Sequence, residues 1–287
     1  MAVEKIVRFL RQVESSASPG SVHHLRTSIR RLEAELPQTL HADPQLARRL
    51  RRLRRRAGAV RDLDVQMALL RDLPINGNGA RRLLIRALAQ ERERRGQRLA
   101  AWLTASRRRK LARRLRRLMA AASPVPAEQR VTAIWEGVAD LDRRYPTLGP
   151  GNLHAFRKDC KHLRYQAEIA AAVPAAVMLR DQLRQVQDAA GIWHDWVELA
   201  ARARRVIDSS APTALGAVLD HTTAAAFAHS LRVANRVRTH LRQRAPAAAA
   251  GSGHKLSGRA QPRHPAAPGR RPPGVERLAA AAGRLMA

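Results

Sequence analysis

The chain has 287 residues, 45% apolar and only 3% aromatic, and its 54 Lys and Arg against 23 Asp and Glu give a formal net charge of +31. That length can bury one large core or two smaller ones, and abundant Ala and Leu with no strand-like runs of Val, Ile, Thr and Tyr imply an all-α fold. The charge implies counterions or a polyanionic partner, because a folded protein this unbalanced otherwise repels itself.

The first predicted helix covers about residues 2–15 and stops at the loop Ser15–Gly20. Ser21 is the expected N-cap of the next, whose stripe Leu25, Ile29, Leu32 and Leu36 ends at Pro37. Asp43-Pro44 opens a long helix with Leu46, Leu50, Leu53, Ala57 and Val60, and Leu73-Pro74 with Asn76-Gly77-Asn78-Gly79 forms a turn. A helix from about 80 to 104 follows. Arg107–Arg117 then places eight Arg or Lys in eleven positions around a thin stripe of Leu111, Leu115 and Leu118. Its eight charges without one acid make a merely solvated face a poor account, so it is expected to extend the basic surface or to dock nucleic acid or another polyanion.

Ser123-Pro124-Val125-Pro126 is the expected internal boundary. A helix to Tyr145 and a loop over Pro146–Asn152 come next. The stripe Phe156, Cys160, Leu163, Ala167 ends near Pro174, a long helix runs from about 175 to 206 with a break at Ser209–Pro212, and a last one reaches about Arg244. From Ala245 to Ala287, Ala, Pro, Gly and Arg dominate without period, so this tail is expected to be disordered. It holds seven basic residues and one acid, so most of the charge belongs to the helical body.

The basic residues are nearly all Arg, whose planar fork matches phosphate oxygens, although codon bias would also favour Arg over Lys. The single Cys160 rules out an internal disulfide framework and a Cys-based zinc site, and fits a reducing compartment. Met1–Arg11 reads as an amphipathic helix start and not as a signal peptide, and no apolar stretch approaches a membrane span. A soluble, cytoplasmic protein without membrane contact is the expectation.

The two halves repeat each other. His23-His24-Leu25-Arg26 to Arg30-Arg31-Leu32 parallels His154-Ala155-Phe156-Arg157 to Lys161-His162-Leu163, and Gly58-Ala59-Val60-Arg61-Asp62 parallels Gly191-Ile192-Trp193-His194-Asp195 at nearly the same offset. In each copy the apolar stripe faces one way. His23, Arg26 and Arg30, and likewise His154, Arg157 or Lys158, and Lys161, lie on another face as a basic ridge, which Arg164 and Tyr165 continue.

These repeated segments resemble the CHAD domain, named for conserved histidines in an α-helical domain. The resemblance is carried by His23-x-x-Arg26…Arg30-Arg31-Leu32, Arg61-Asp62-x-Asp64-Val65, Leu153-His154-x-x-Arg157…Lys161-His162-Leu163-Arg164-Tyr165, and Leu183…Val186-Gln187-Asp188-Ala189-x-Gly191…His194-Asp195, over roughly residues 1–244. It implies two four-helix bundles related by pseudo-twofold symmetry, here about 1–122 and 126–244, with a basic central channel. It also implies binding of inorganic polyphosphate and association with polyphosphate granules. Glu33 and His162 depart from the pattern, standing where the family commonly has Arg.

The residues expected to hold polyphosphate are His23, Arg26, Arg30, Arg49, Arg52, Arg56, His154, Arg157, Lys158, Lys161, Arg164 and Arg184. His23 and His154 have no ligand-spaced His or carboxylate one turn away, so no metal is expected; hydrogen bonding to phosphate or helix packing are the two roles open to them. Asp62 and Asp195 read as structural carboxylates paired with a basic residue, and Glu168 as a helix pair of Arg164. Trp102, Trp135, Trp193 and Trp196 belong to the core or helix junctions. A phosphate-binding G-x-x-x-x-G-K-[ST] loop is absent, and so are clustered carboxylates for divalent metal, so no catalysis and no cofactor are expected. Binding would then be electrostatic, with a channel too narrow for duplex DNA, and neutralising Arg157, Lys161 and Arg164 together is expected to leave the fold intact. The rival reading is a general binder of nucleic acid or another polyanion, although few aromatics are available for base stacking. A third is a scaffold that recruits granule proteins through the tail.

Overall fold

The computed structural model describes residues 2–36, 40, 43–75, 79–123, 125–207 and 213–245. Pro37, most of the Asn76–Gly79 turn, the segment 208–212 and the tail from residue 246 lie outside the described residues, and with them the readings made there. Among the described residues every regular element is a helix: α1 (Ala2–Ser15), α2 (Pro19–Glu35), α3 (Pro44–Asp72), α4 (Gly79–Trp102), α5 (Ala105–Ala120), α6 (Ala127–Arg144), α7 (Leu153–Ile169), α8 (Pro174–Val206) and α9 (Ala214–Arg244). The chain falls into two compact units that divide between Pro126 and Ala127, with Val206 at the end of α8 grouped with the first.

Among the described residues the first unit holds α1–α5, where the resemblance implies four helices. The extra break comes after Leu103, where Thr104 caps a new helix by accepting the Arg107 amide at 3.3 Å. Its core is built from the apolar stripes: Ile6, Leu10 and Val13 of α1, Leu25, Ile29 and Leu32 of α2, Leu46, Leu50, Leu53 and Val60 of α3, and Leu111, Leu115 and Leu118 of α5. Helix α2 begins earlier than Ser21. Ser18 is the cap, with its side chain accepting from the Ser21 amide at 3.2 Å, and Pro19 enters the first turn, where its missing N–H costs nothing. Ser21 instead donates its hydroxyl to the Ser16 carbonyl at 3.0 Å and fastens the loop from inside. Asp43 caps α3 by accepting the Leu46 amide at 3.0 Å.

The second unit holds α6–α9 around Ile134, Val138, Phe156, Cys160, Leu183, Val186, Trp193, Val237 and Leu241. Helices α6 and α7 approach closely at Gly137, where a Cβ would sit 2.5 Å from Leu163 Cδ2, so a larger residue there would displace that leucine. Asp142 gathers Arg238 at 2.9 Å and Arg242 at 2.6 Å, binding α9 to α6. Tyr145 donates its hydroxyl to Asp159 at 2.8 Å; burial, with this bond, pushes the phenol up to about 12. Trp135, Trp193 and Trp196 are buried, while Trp102 is half-buried with the Arg56 and Arg107 guanidinium groups 5.6 and 5.7 Å from its ring centre.

Candidate polyanion-binding site

In each unit the ridge lies on a pair of antiparallel helices, α2 with α3 and α7 with α8. In the second unit the pairing runs as a ladder. His154 stands against His194, ring centres 4.2 Å apart. One turn along α7, Arg157 lies over Gly191, with Nη2 3.5 Å from where a Cβ would be. Further along, Arg164 donates from Nε to Gln187 Oε1 at 2.8 Å.

The first unit repeats the register with different chemistry. Arg26 lies over Gly58, its Nε 3.5 Å from the Cβ position, and its Nη2 reaches Asp62 at 4.0 Å. Asp62 thus has a basic partner within its own unit, at the edge of ion-pair range and with its side chain 57% exposed. Glu33 holds Arg54 at 2.9 Å, at the rung where the second unit has Arg164 and Gln187. The cation has changed helices, so the departure at Glu33 keeps a guanidinium on the rung. Burial pushes the Glu33 carboxyl up, against the pull of Arg54.

The other candidate residues divide by exposure. His23, Arg49, Arg52, Arg56, Lys158 and Arg184 are exposed, and Arg26, Arg30, His154, Arg157 and Lys161 are half-buried. His23 stands edge-on to His24 at 5.5 Å. Arg184 pairs loosely with Asp188 at 3.4 Å. Arg164 is the exception: its side chain is 9% exposed, pairs with Glu168 and lies 4.3 Å from the Tyr165 ring centre. Its place beside the stripe carries it inward, so it braces the second unit, and neutralising it would disturb the fold contrary to the expectation from sequence.

The imidazoles of the second ladder are held neutral. Burial first, then the nearby cations Lys158 and Arg157, pushes His154 down to about 4. His194 goes down to about 3 through burial, His154 and the same two cations. His154 Nδ1 is buried without a hydrogen-bond partner. Among the described residues no group of three His, Cys, Asp or Glu side chains could hold a metal ion.

The basic run on α5 is partly neutralised. Arg108 pairs with Glu14 at 2.6 Å, Arg116 with Glu4 at 2.9 Å, and Arg114 with Asp43 at 3.2 Å. Sequence reasoning missed these partners because they lie far back in the chain. It also missed the arginine seats at Gly58 and Gly191, whose signal was available: a glycine inside a long helix at the same place in both repeats. A further brace, Arg92, donates to Asp64 at 2.9 Å and to the Ala17 carbonyl, tying α4 to α3 and to the loop before α2.

The CHAD domain family profile matches residues 2–204. The chain belongs to the CHAD domain family. The crystal structure of the CHAD domain from the plant Ricinus communis resembles it with a TM-score of 0.64 at 20% identity, covering 84% of this chain and 88% of that one, which establishes a shared fold. No curated protein matches the sequence. Helix α9 lies beyond the profile match of this CHAD domain, yet it supplies Val233, Ala234, Val237 and Leu241 to the second core. Among the described residues no helix is long and apolar enough to cross a membrane.

Proposed function

We propose that this CHAD domain binds inorganic polyphosphate without turnover, along the basic ridge of each unit, and so associates with polyphosphate granules. The observation that carries the reading is the repeated seat: Arg26 over Gly58 and Arg157 over Gly191, each flanked by further cations, Arg30 in one unit and Lys158 and Lys161 in the other. A guanidinium laid across a bare helix backbone is fixed in direction, so little ordering cost falls on the protein when phosphate arrives. Forked arginines then exchange the thread's counterions for charge-assisted hydrogen bonds. The neutral His154 offers a nitrogen to phosphate without adding to the local repulsion.

The test is a polyphosphate titration of the full chain and of R157Q/K158Q/K161Q, at several salt concentrations. The variant omits Arg164, which serves the fold. Removing three contacts should weaken binding and flatten the salt dependence by about 2 in log–log slope, at roughly 0.7 per phosphate contact on a single strand. Unchanged affinity in the folded variant refutes the site. Steady phosphate release from polyphosphate would refute the non-catalytic reading, and a parent chain that does not concentrate at granules would refute the granule role.

A further inference from the structure

Helix α5 carries eight Arg or Lys and no acid over Ala105–Ala120. Its apolar face is consumed: Leu111, Ala112, Leu115 and Leu118 are buried in the first unit. The flanks are consumed too. Arg108, Arg114 and Arg116 hold Glu14, Asp43 and Glu4, and Arg107 turns back to donate to the Trp102 carbonyl at 3.1 Å. That accounts for four cations. The other four, Arg109, Lys110, Arg113 and Arg117, are exposed on the outward arc, and among the described residues no carboxylate lies within ion-pairing distance of them.

This remainder is ordered. Arg109, Arg113 and Arg117 follow at i, i+4, i+8, about 6 Å apart along the helix, with Lys110 beside them. Like charges at that spacing weaken a helix, and α5 tolerates them because its other face is packed. An amphipathic helix lying in a membrane needs its apolar face for lipid, and here that face is already buried in protein. A convex row of cations has no walls, so a flexible thread gains no enclosure on it and loses its freedom by lying there. A stiff rod of dense charge loses little. Duplex nucleic acid is such a rod, with one charge per about 1.7 Å of axis. The arc has no Asn, Gln, Asp or Glu for reading base edges in addition to its cations.

We propose that Arg109, Lys110, Arg113 and Arg117 of α5 form a separate docking surface for the phosphate backbone of duplex nucleic acid, independent of base sequence. It is distinct from the polyphosphate ridges and does not depend on them.

The experiment is fluorescence anisotropy of the full chain with labelled mixed-sequence DNA and RNA duplexes over a salt series. Its variants are R109Q/K110Q/R113Q/R117Q and, as a milder substitution, R113Q, with helix content checked by circular dichroism. The quadruple variant should bind duplex at least about tenfold more weakly, with the log–log salt slope shallower by roughly 3 to 4; R113Q should lower that slope by about 1, following about 0.9 per duplex phosphate contact. Polyphosphate affinity should be unchanged in both, whereas R157Q/K158Q/K161Q should spare duplex binding. Undiminished duplex binding in the folded variants overturns the proposal. So does an equal loss of duplex and polyphosphate, which would make the arc part of one common surface, or a loss of anionic-vesicle binding while duplex binding stays intact. If polyphosphate binding fails altogether while the duplex results hold, the ridge reading falls and this one stands.

Discussion

Arg157 rests on Gly191 with its Nη2 3.5 Å from the place a Cβ would take, and Arg26 rests on Gly58 in the same way. That distance is an ordinary contact, so alanine fits. Gly191→Ala should raise stability by up to about 1 kcal/mol, the helix-propensity difference, and leave polyphosphate affinity intact. Gly191→Leu has no such room and should lift Arg157 from its seat, weakening binding several-fold while the chain stays folded. Urea unfolding and the polyphosphate titration read the two effects separately; equal binding by the Ala and Leu variants would show that the seat is unimportant.

The Glu33–Arg54 rung permits a swap experiment. Glu33→Arg alone faces two guanidinium groups in a half-buried place and should cost on the order of 1–3 kcal/mol. Adding Arg54→Gln rebuilds the arrangement of Arg164 and Gln187 and should recover most of that loss. A double-mutant cycle with a coupling of about 1 kcal/mol or more would confirm the equivalence of the rungs, and strict additivity would refute it.

The pH dependence has a definite sign. His154 and His194 are neutral in the folded unit, down to about 4 and about 3, whereas an unfolded chain takes up protons on its histidines near pH 6.5. Between about pH 6.5 and 4 the unfolded chain therefore holds more protons, and stability drains as the pH falls. Replacing both histidines by Asn should shrink the drop in urea midpoint between about pH 7.5 and 4.5. Glu33 works in the opposite sense, since its raised carboxyl loses its contribution as pH rises, but it is common to both proteins and cancels. An equal drop in the two proteins would contradict the assignment.

Asp43 does two jobs that can be separated. Asp43→Ala removes both the cap on the Leu46 amide and the Arg114 pair, and should cost about 1–2 kcal/mol. Asp43→Asn keeps a capping oxygen and loses only a partly exposed ion pair, so about 1 kcal/mol or less is expected. Thermal unfolding distinguishes the two substitutions; equal losses would place the importance in the ion pair alone.

The helices were legible because their signals are local. Leu25, Ile29 and Leu32 repeat at helical spacing, Asp43-Pro44 is a cap followed by its favoured first-turn residue, and both ends lie within a turn of the bonds they make. Ser18 escaped notice because two serines three residues apart are both fit to cap, and only the entry of Pro19 into the first turn decides between them. The ridge positions were legible as helix faces. Arg164 was not, because a guanidinium next to a buried stripe turns outward or inward according to what the facing helix offers, here Gln187. The partial neutralisation of α5 was hidden for a similar reason: Glu4 and Glu14 reach Arg116 and Arg108 only after the chain has folded back.

Cys160, the lone thiol of the chain, is 1% exposed in the second core, and burial holds it far above the ordinary thiol range. In the closed unit it is inert to alkylating reagents, so each labelling event marks a moment when α7 has come away from its neighbours. The protein thus contains its own breathing gauge, and a ligand that clasps α7 to α8 would slow the clock without any probe being engineered in.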